Sequence, residues 1–224
     1  MKTLLTLTAA FSTFVTGAIA QQKISLQFIS FPRSTNLEPI ELLLGEGETK
    51  EVYIPGHELS PAYRVDAMTT IAVGKTVTNE NGESRFQVYG QAPALAATQQ
   101  IILLIRKGDE NSDGFQLLPI NGERSDFTGG SFLFFNASQI AVGGIIGDQE
   151  FALRPGQRRL LKPSATHQGG GCQVTLSYQH QEDWKKFYDT RWSVNPRYRS
   201  LIFFFQDPES GQLGVSPIVD IFGR

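Results

Sequence analysis

Ser25-Leu26-Gln27-Phe28-Ile29-Ser30 and Ser131-Phe132-Leu133-Phe134-Phe135-Asn136 match in pattern. In the first stretch Ile24, Leu26 and Phe28 alternate with Ser25 and Gln27, the period-two signature of a strand. Each copy is followed by a second element, Leu43-Leu44-Gly45 or Ile145-Ile146-Gly147, and then by a Pro-Gly, at Pro55-Gly56 or Pro155-Gly156. Further on, the apolar runs Ile101 to Ile105 and Leu201 to Phe205 each enter a polar, Gly-containing turn. They leave it through Phe115-Gln116-Leu117-Leu118-Pro119-Ile120 and Leu213-Gly214-Val215-Ser216-Pro217-Ile218. The landmarks keep their order while the offset between copies drifts from 106 to 98, as small loop insertions and deletions would cause. The expected fold is all-β: two tandem immunoglobulin-like β-sandwich modules related by internal duplication, over residues 21–121 and 122–224. About 100 residues suffice to close one such sandwich. Short apolar runs and Pro-Gly turns recur in any β protein, so one larger β-sandwich is the alternative.

The remaining chain fits the same class. Runs of apolar, β-branched or aromatic residues bounded by Gly, Pro, Asn and Asp recur at Ile40 to Leu44, Thr70 to Val77, Arg85 to Tyr89, Ile140 to Ile146 and Cys172 to Tyr178. Asn81-Gly82 reads as the turn of a hairpin. Helical periodicity is almost absent, and the alanine-rich Ala92 to Gln100 is expected to be a loop or a single turn.

Composition narrows the function classes. Of 224 residues 40% are hydrophobic and 19% charged, with a formal net charge of -2, which excludes a disordered tail, a collagen and a basic nucleic-acid binder. Residues Met1 to Ala20 combine Lys2, an apolar stretch from Leu4 to Val15 and the small-residue end Ala18-Ile19-Ala20. They are expected to form a signal peptide cleaved after Ala20, giving an exported protein, periplasmic or extracellular, that does not span a membrane. Cys172 is the one cysteine, so no disulfide within the chain supports the fold, and alternation with its neighbours makes it a buried strand residue. Residues 21–120 carry eight basic and twelve acidic side chains and residues 121–224 carry eleven and ten, so the second half is the one better suited to an anionic partner.

No nucleophile elbow, zinc-protease pair, Walker loop or dinucleotide fingerprint is present. The three histidines, Cys172 and Met68 are not spaced as a copper site requires. Asp109, Asn111 and Asp113, followed by Gly114, match the opening half of a calcium loop. Ile120 stands where that loop needs a bidentate Glu, and an ordinary hairpin turn explains the same residues. Calcium is therefore the one candidate cofactor. Arg154, Arg158, Arg159 and Lys162 read as the solvated face of a hairpin. The richest binding candidate is the stretch holding Trp184, Tyr188, Arg191, Trp192, Arg197 and Tyr198, since aromatic faces beside guanidinium groups suit sugar rings or protein anchors, although one tryptophan is expected to turn inward as core. Asn136-Ala137-Ser138 is formally a glycosylation sequon.

The expected function is a non-enzymatic exported protein that binds or scaffolds an unidentified protein or glycan. One alternative is an envelope assembly or chaperone-like protein that acts by strand addition, for which the Phe-rich strands at 131–135 and 201–205 would need to lie at a sheet edge. Another is a polysaccharide-active enzyme using Asp183 and Asp189.

Overall fold

The computed structural model describes residues 22–31, 39–45, 47–106, 114–164, 170–207 and 210–221. The described residues form sixteen strands and no helix. The first eight are β1 (Lys23–Phe31), β2 (Ile40–Gly45), β3 (Glu48–Val52), β4 (Tyr63–Asp66), β5 (Thr70–Thr78), β6 (Ser84–Pro93), β7 (Gln99–Arg106) and β8 (Phe115–Asn121). The second eight are β9 (Phe132–Asn136), β10 (Val142–Ile146), β11 (Gln149–Leu153), β12 (Arg158–Leu161), β13 (Gly171–His180), β14 (Asp183–Ser193), β15 (Tyr198–Gln206) and β16 (Leu213–Ile221). They make four sheets of four strands: β4-β1-β7-β8 and β3-β2-β5-β6 in the N-terminal half, β12-β9-β15-β16 and β11-β10-β13-β14 in the C-terminal half. The strand order of one half is thus the order of the other shifted by eight. In both, the first strand pairs parallel with the seventh, β1 with β7 and β9 with β15.

Side-chain alternation divides the apolar residues among three cores. Leu26 and Phe28 of β1 and Ile102 and Leu104 of β7 point into the N-terminal sandwich, against Leu42, Ile71 and Val73 of the opposing sheet. Phe132, Phe134, Ile202 and Phe204 do the same in the C-terminal sandwich, against Val142, Phe151 and Val174. The intervening residues, Ile29, Phe31, Ile101 and Leu103 on one side and Leu133, Phe135, Leu201 and Phe203 on the other, pack against each other in a third core between the halves. Phe31 stacks on Phe203 with ring centroids 4.8 Å apart and meets Phe205 edge-on at 5.7 Å. The result is four layers whose two inner sheets are covered on both faces. Continuous apolar runs such as Phe132 to Phe135 are what doubly covered strands require. These Phe-rich strands are also interior to their sheet, β9 between β12 and β15 and β15 between β9 and β16, so neither offers the free edge that strand addition needs.

The facing sheets are stacked in reversed order. β1 lies over β15 through Phe31 and Phe203, and β8 lies by β12, where the Arg158 guanidinium donates to the Pro119 carbonyl at 3.0 Å. The connection over 122–131 is tied to both halves. Glu123 Oε1 accepts from Thr98 N and Thr98 Oγ1 at 2.8 and 3.1 Å, and Gly130 N donates to Tyr198 O at 2.8 Å. Arg199, 3% exposed, closes the junction: Nε donates to Asp220 Oδ2 at 2.7 Å, and Nη1 to the carbonyls of Gly122 and Phe127 at 2.8 and 3.0 Å. Burial pulls this guanidinium below its ordinary value, and the Asp220 carboxylate works in the opposite direction.

Two irregularities recur in both halves. In the β5–β6 ladder Val73 faces Gly90 and Gly74 faces Val88, leaving Tyr89 as a bulged residue; in the β13–β14 ladder Leu176 faces Tyr188 and Ser177 faces Lys186, leaving Phe187. A bulge redirects the side chain of the extra residue, and both aromatics pack on their sandwich cores. The outer edge strands β8 and β16 also carry Pro119 and Pro217, paired with Ile102 and Ile202. A proline in a strand paired on one side only removes a donor from the open edge.

Asn136 ends β9 fully buried, so its sequon offers no accessible amide nitrogen. Its Nδ2 donates to Ile140 O and Leu153 O at 2.8 and 3.1 Å, while its Oδ1 accepts from Ser138 N and Ser138 Oγ at 3.0 and 2.7 Å. Removing a buried partner leaves each group unsatisfied, so Asn136→Ala is expected to cost about 2–4 kcal/mol in urea unfolding. A loss below ~1 kcal/mol would mean that water replaces the amide.

Candidate functional site

The aromatic and basic stretch singled out in the sequence is β14, an edge strand of the outer sheet β11-β10-β13-β14, with the turn that follows it. The bulge at Phe187 reverses the phase of the strand, so its two tryptophans part company. Trp184, 49% exposed, lies across the solvent face of the sheet over Gly143, where an added Cβ would stand 3.2 Å from the indole. Only a glycine lets the ring approach the backbone that closely. Trp192 turns inward and stacks on Phe132 and Phe134 at 5.6 and 6.1 Å. Tyr188 also packs on that core, accepting from Trp192 Nε1 at 3.3 Å. Arg191 is exposed opposite Gln173. Arg197 is exposed beyond the strand, and its backbone N–H donates to Asn195 Oδ1 at 2.9 Å. Tyr198 begins β15, half-buried and paired with Ile221.

Around Trp184 the same face carries Ile145, 51% exposed, with Thr175 and Glu150 as its cross-strand neighbours and Asp189 opposite Thr175. Lys186 Nζ stands 2.8 Å from Asp189 Oδ2, and Gln173 Nε2 donates to Asp189 Oδ1 at 2.5 Å. The Lys186 hydrogen bond, with that of Gln173, holds the Asp189 carboxyl below its ordinary value. A depressed carboxyl stays ionised and makes a poor general acid. Asp183 lies six residues away, about 20 Å along an extended strand, far beyond the ~9.5 Å span of a glycosidase pair.

The same hairpin borders a second feature. Between β13–β14 and the turn joining β15 to β16 lies a cleft of about 570 Å³. Its apolar lining is Ile140, Tyr178, Phe187 and Leu213, with the Tyr178 and Phe187 rings 6.1 Å apart. Its polar lining includes His180, Gln179, Gln206 and Gln212. The far turn is set by Asp207, whose Oδ1 accepts from Ser210 N and Oγ at 2.8 and 2.9 Å and whose N–H donates to Gln212 O at 2.8 Å. Of these lining residues, Phe187 falls within the aromatic stretch that stands out in the sequence. The run Cys172 to Tyr178 shows that Tyr178 is on a strand, but nothing local indicates the bulge that turns Phe187 toward it.

Asp109, Asn111 and Asp113 lie outside the described residues, as does the segment 1–21. Among the described residues no three His, Cys, Asp or Glu side chains come together as a metal group, and no helix is long and apolar enough to cross a membrane. Cys172 is a free, fully buried thiol, which burial and the nearby Asp148 charge push above its ordinary 9.0. It is expected to stay unmodified by a thiol reagent in the native protein and to react once the chain is unfolded. Above about pH 9 the unfolded thiol ionises and the folded one does not, so stability falls as pH rises through that value. Rapid native labelling would contradict the burial.

No family model matches the chain, and no curated protein matches it in sequence.

Proposed function

We propose that the chain is an exported, non-enzymatic protein of two immunoglobulin-like modules related by duplication, and that it binds or scaffolds a protein or glycan through the solvent face of the β11-β10-β13-β14 sheet. The observation that carries this reading is Trp184, half exposed on a floor opened by Gly143 and flanked by exposed Ile145. An aromatic ring held flat on a rigid sheet loses little freedom when a partner covers it. Duplication is supported by the repeated strand order, the paired bulges at Tyr89 and Phe187, and the edge prolines Pro119 and Pro217. Those prolines also count against strand addition at β8 and β16, as do the bulge and Lys185 and Lys186 on the edge strand β14.

A photo-crosslinking amino acid placed at Trp184 in the full chain tests the reading in cells of the source organism, with one at the equally exposed Val88 as control. A discrete adduct at 184 and none at 88, in a fraction outside the cytoplasm and on a chain starting at Gln21, is the expected result. Equal adducts at both positions, or a chain that keeps residues 1–20 and stays in the cytoplasm, would sink it.

A further inference from the structure

The alternation that fills the core between the halves brings polar residues to the same faces at one end of the inner sheets. On β1, Ser25 and Gln27 are in phase with Ile29 and Phe31, and on β7, Gln99 is in phase with Ile101 and Leu103. Ser25 pairs with Arg64 of β4 and with Gln99, so one row across three strands reads Arg64, Ser25, Gln99. On the facing sheet Arg199, in phase with Leu201 and Phe203, pairs with Asp220. Between these two polar rows lies a cleft of about 670 Å³, bordered also by the apolar Leu59, Pro61, Val219 and Ile221. The other flank of the inner sheets is tied shut where Arg158 of β12 donates to Pro119 O of β8. We propose that the cleft between the halves binds a small organic anion, its carboxylate or phosphate group held by Arg64 and Arg124 and its apolar body laid on Val219 and Ile221.

The cations among the described lining are Arg64, Arg124 and Arg199, each a guanidinium, and the carboxylates are Glu58 and Asp220. Asp220 is already committed, since its Oδ2 accepts from Arg199 Nε at 2.7 Å. Glu58 has His57 as its ion-pair neighbour, at 3.8 Å, and Arg64 has no ion pair or hydrogen bond with another described residue. Burial lowers the Arg199 guanidinium, Asp220 opposes that, and the charge of Arg124 adds to the lowering, so Arg124 stands close enough for the two cations to repel. An anion seated beside them offsets that repulsion, whereas a cationic ligand adds to it. The planar fork of a guanidinium matches the two oxygens that a carboxylate or a phosphate presents, and Arg64 and Arg124 are exposed enough to turn toward them. Val219, 46% exposed, and Ile221, 43% exposed, offer apolar surface beside the charges. A ligand with an anionic end and an apolar body covers both kinds of surface, which a bare inorganic ion does not. Small-ligand sites favour the junctions of structural units, with volumes of ~300–1,000 Å³, and this cleft fits both descriptions.

The test uses the full chain and four probes of one chain length, hexanoate, hexyl phosphate, hexanol and hexylamine, read by ligand-observed NMR at fixed ionic strength. At least one of the two anions is expected to bind, and hexanol and hexylamine are not. The tighter of the two anions identifies the charged group that the cleft selects. Arg64→Ala and Arg124→Ala are each expected to weaken binding about tenfold, and Arg64→Lys, which keeps the charge and loses the fork, by less. Arg64 and Arg124 are exposed, so their variants are expected to keep the wild-type melting temperature, which calorimetry checks. Trp184→Ala is expected to leave binding unchanged, because the cleft is separate from the sheet face. No binding of either anion at about 10 mM overturns the proposal, as does hexanol binding as tightly as hexanoate. Undiminished binding in both Arg→Ala variants overturns it too, and if binding is then lost in Trp184→Ala the ligand belongs to the sheet face instead.

Discussion

Arg199→Ala is expected to destabilise the protein by about 3–5 kcal/mol, the range for removing one partner of a buried ion pair. The guanidinium is 3% exposed and lies 4.6 Å from the centre of the Phe127 ring. Its removal strands the Asp220 carboxylate, 17% exposed, and the carbonyls of Gly122 and Phe127. Restoring charge balance without restoring the bonds separates the two contributions. The double variant Arg199→Met with Asp220→Leu is expected to recover part of the loss, because no orphan charge remains, while the two carbonyls stay unpaired. Urea unfolding of the full chain provides the comparison. If Arg199→Ala shifted the midpoint no further than a change at the exposed Arg64, the ion pair would be ornamental to the junction.

Phe203→Ala is expected to cost about as much, roughly 3–5 kcal/mol for a fully buried phenylalanine, and to change how the protein unfolds. Phe203 stacks on Phe31 of the other half, whereas its neighbour Phe204 points into the C-terminal core and meets Phe134 at 5.8 Å. Loss of Phe204 therefore weakens one sandwich, and loss of Phe203 weakens what joins the two. In calorimetry the wild type and Phe204→Ala should each melt in one transition, while Phe203→Ala should broaden or split. Identical peak shapes for the two variants would show that the third core does not couple the halves.

The strand content was legible because alternation is local. Ile24, Leu26 and Phe28 alternate in the sequence and all point into one core. The ordered landmarks fall on corresponding strands, Ile101 to Ile105 in β7 and Leu201 to Phe205 in β15. A continuous apolar run shows that both faces of a strand are covered without showing what covers the second, so the core between the halves was invisible. β4, four residues long with Arg64 and Asp66 in it, has too little pattern to register, and β14 was masked by its charges. Trp184 and Trp192 are eight residues apart, an even number, so a regular strand would place both on one face. It is the bulge at Phe187 that sends one out and the other in, and a bulge has no reliable signature in a single sequence. Asn136 illustrates a further limit: the sequon is visible, but its four side-chain bonds depend on Leu153 and Ile140 arriving from other segments.

The reversed stacking of the inner sheets has a consequence for association. With β1 over β15 and β8 beside β12, the facing sheets set their corresponding strands in opposite order, as the two faces of an isologous dimer would. Here both protomer-like units belong to one polypeptide, so each sticky sheet face is occupied by its own sequel. A contact of this kind is unimolecular, and its strength does not depend on dilution. Because the two inner faces cover each other, neither is left open for another molecule to stack on.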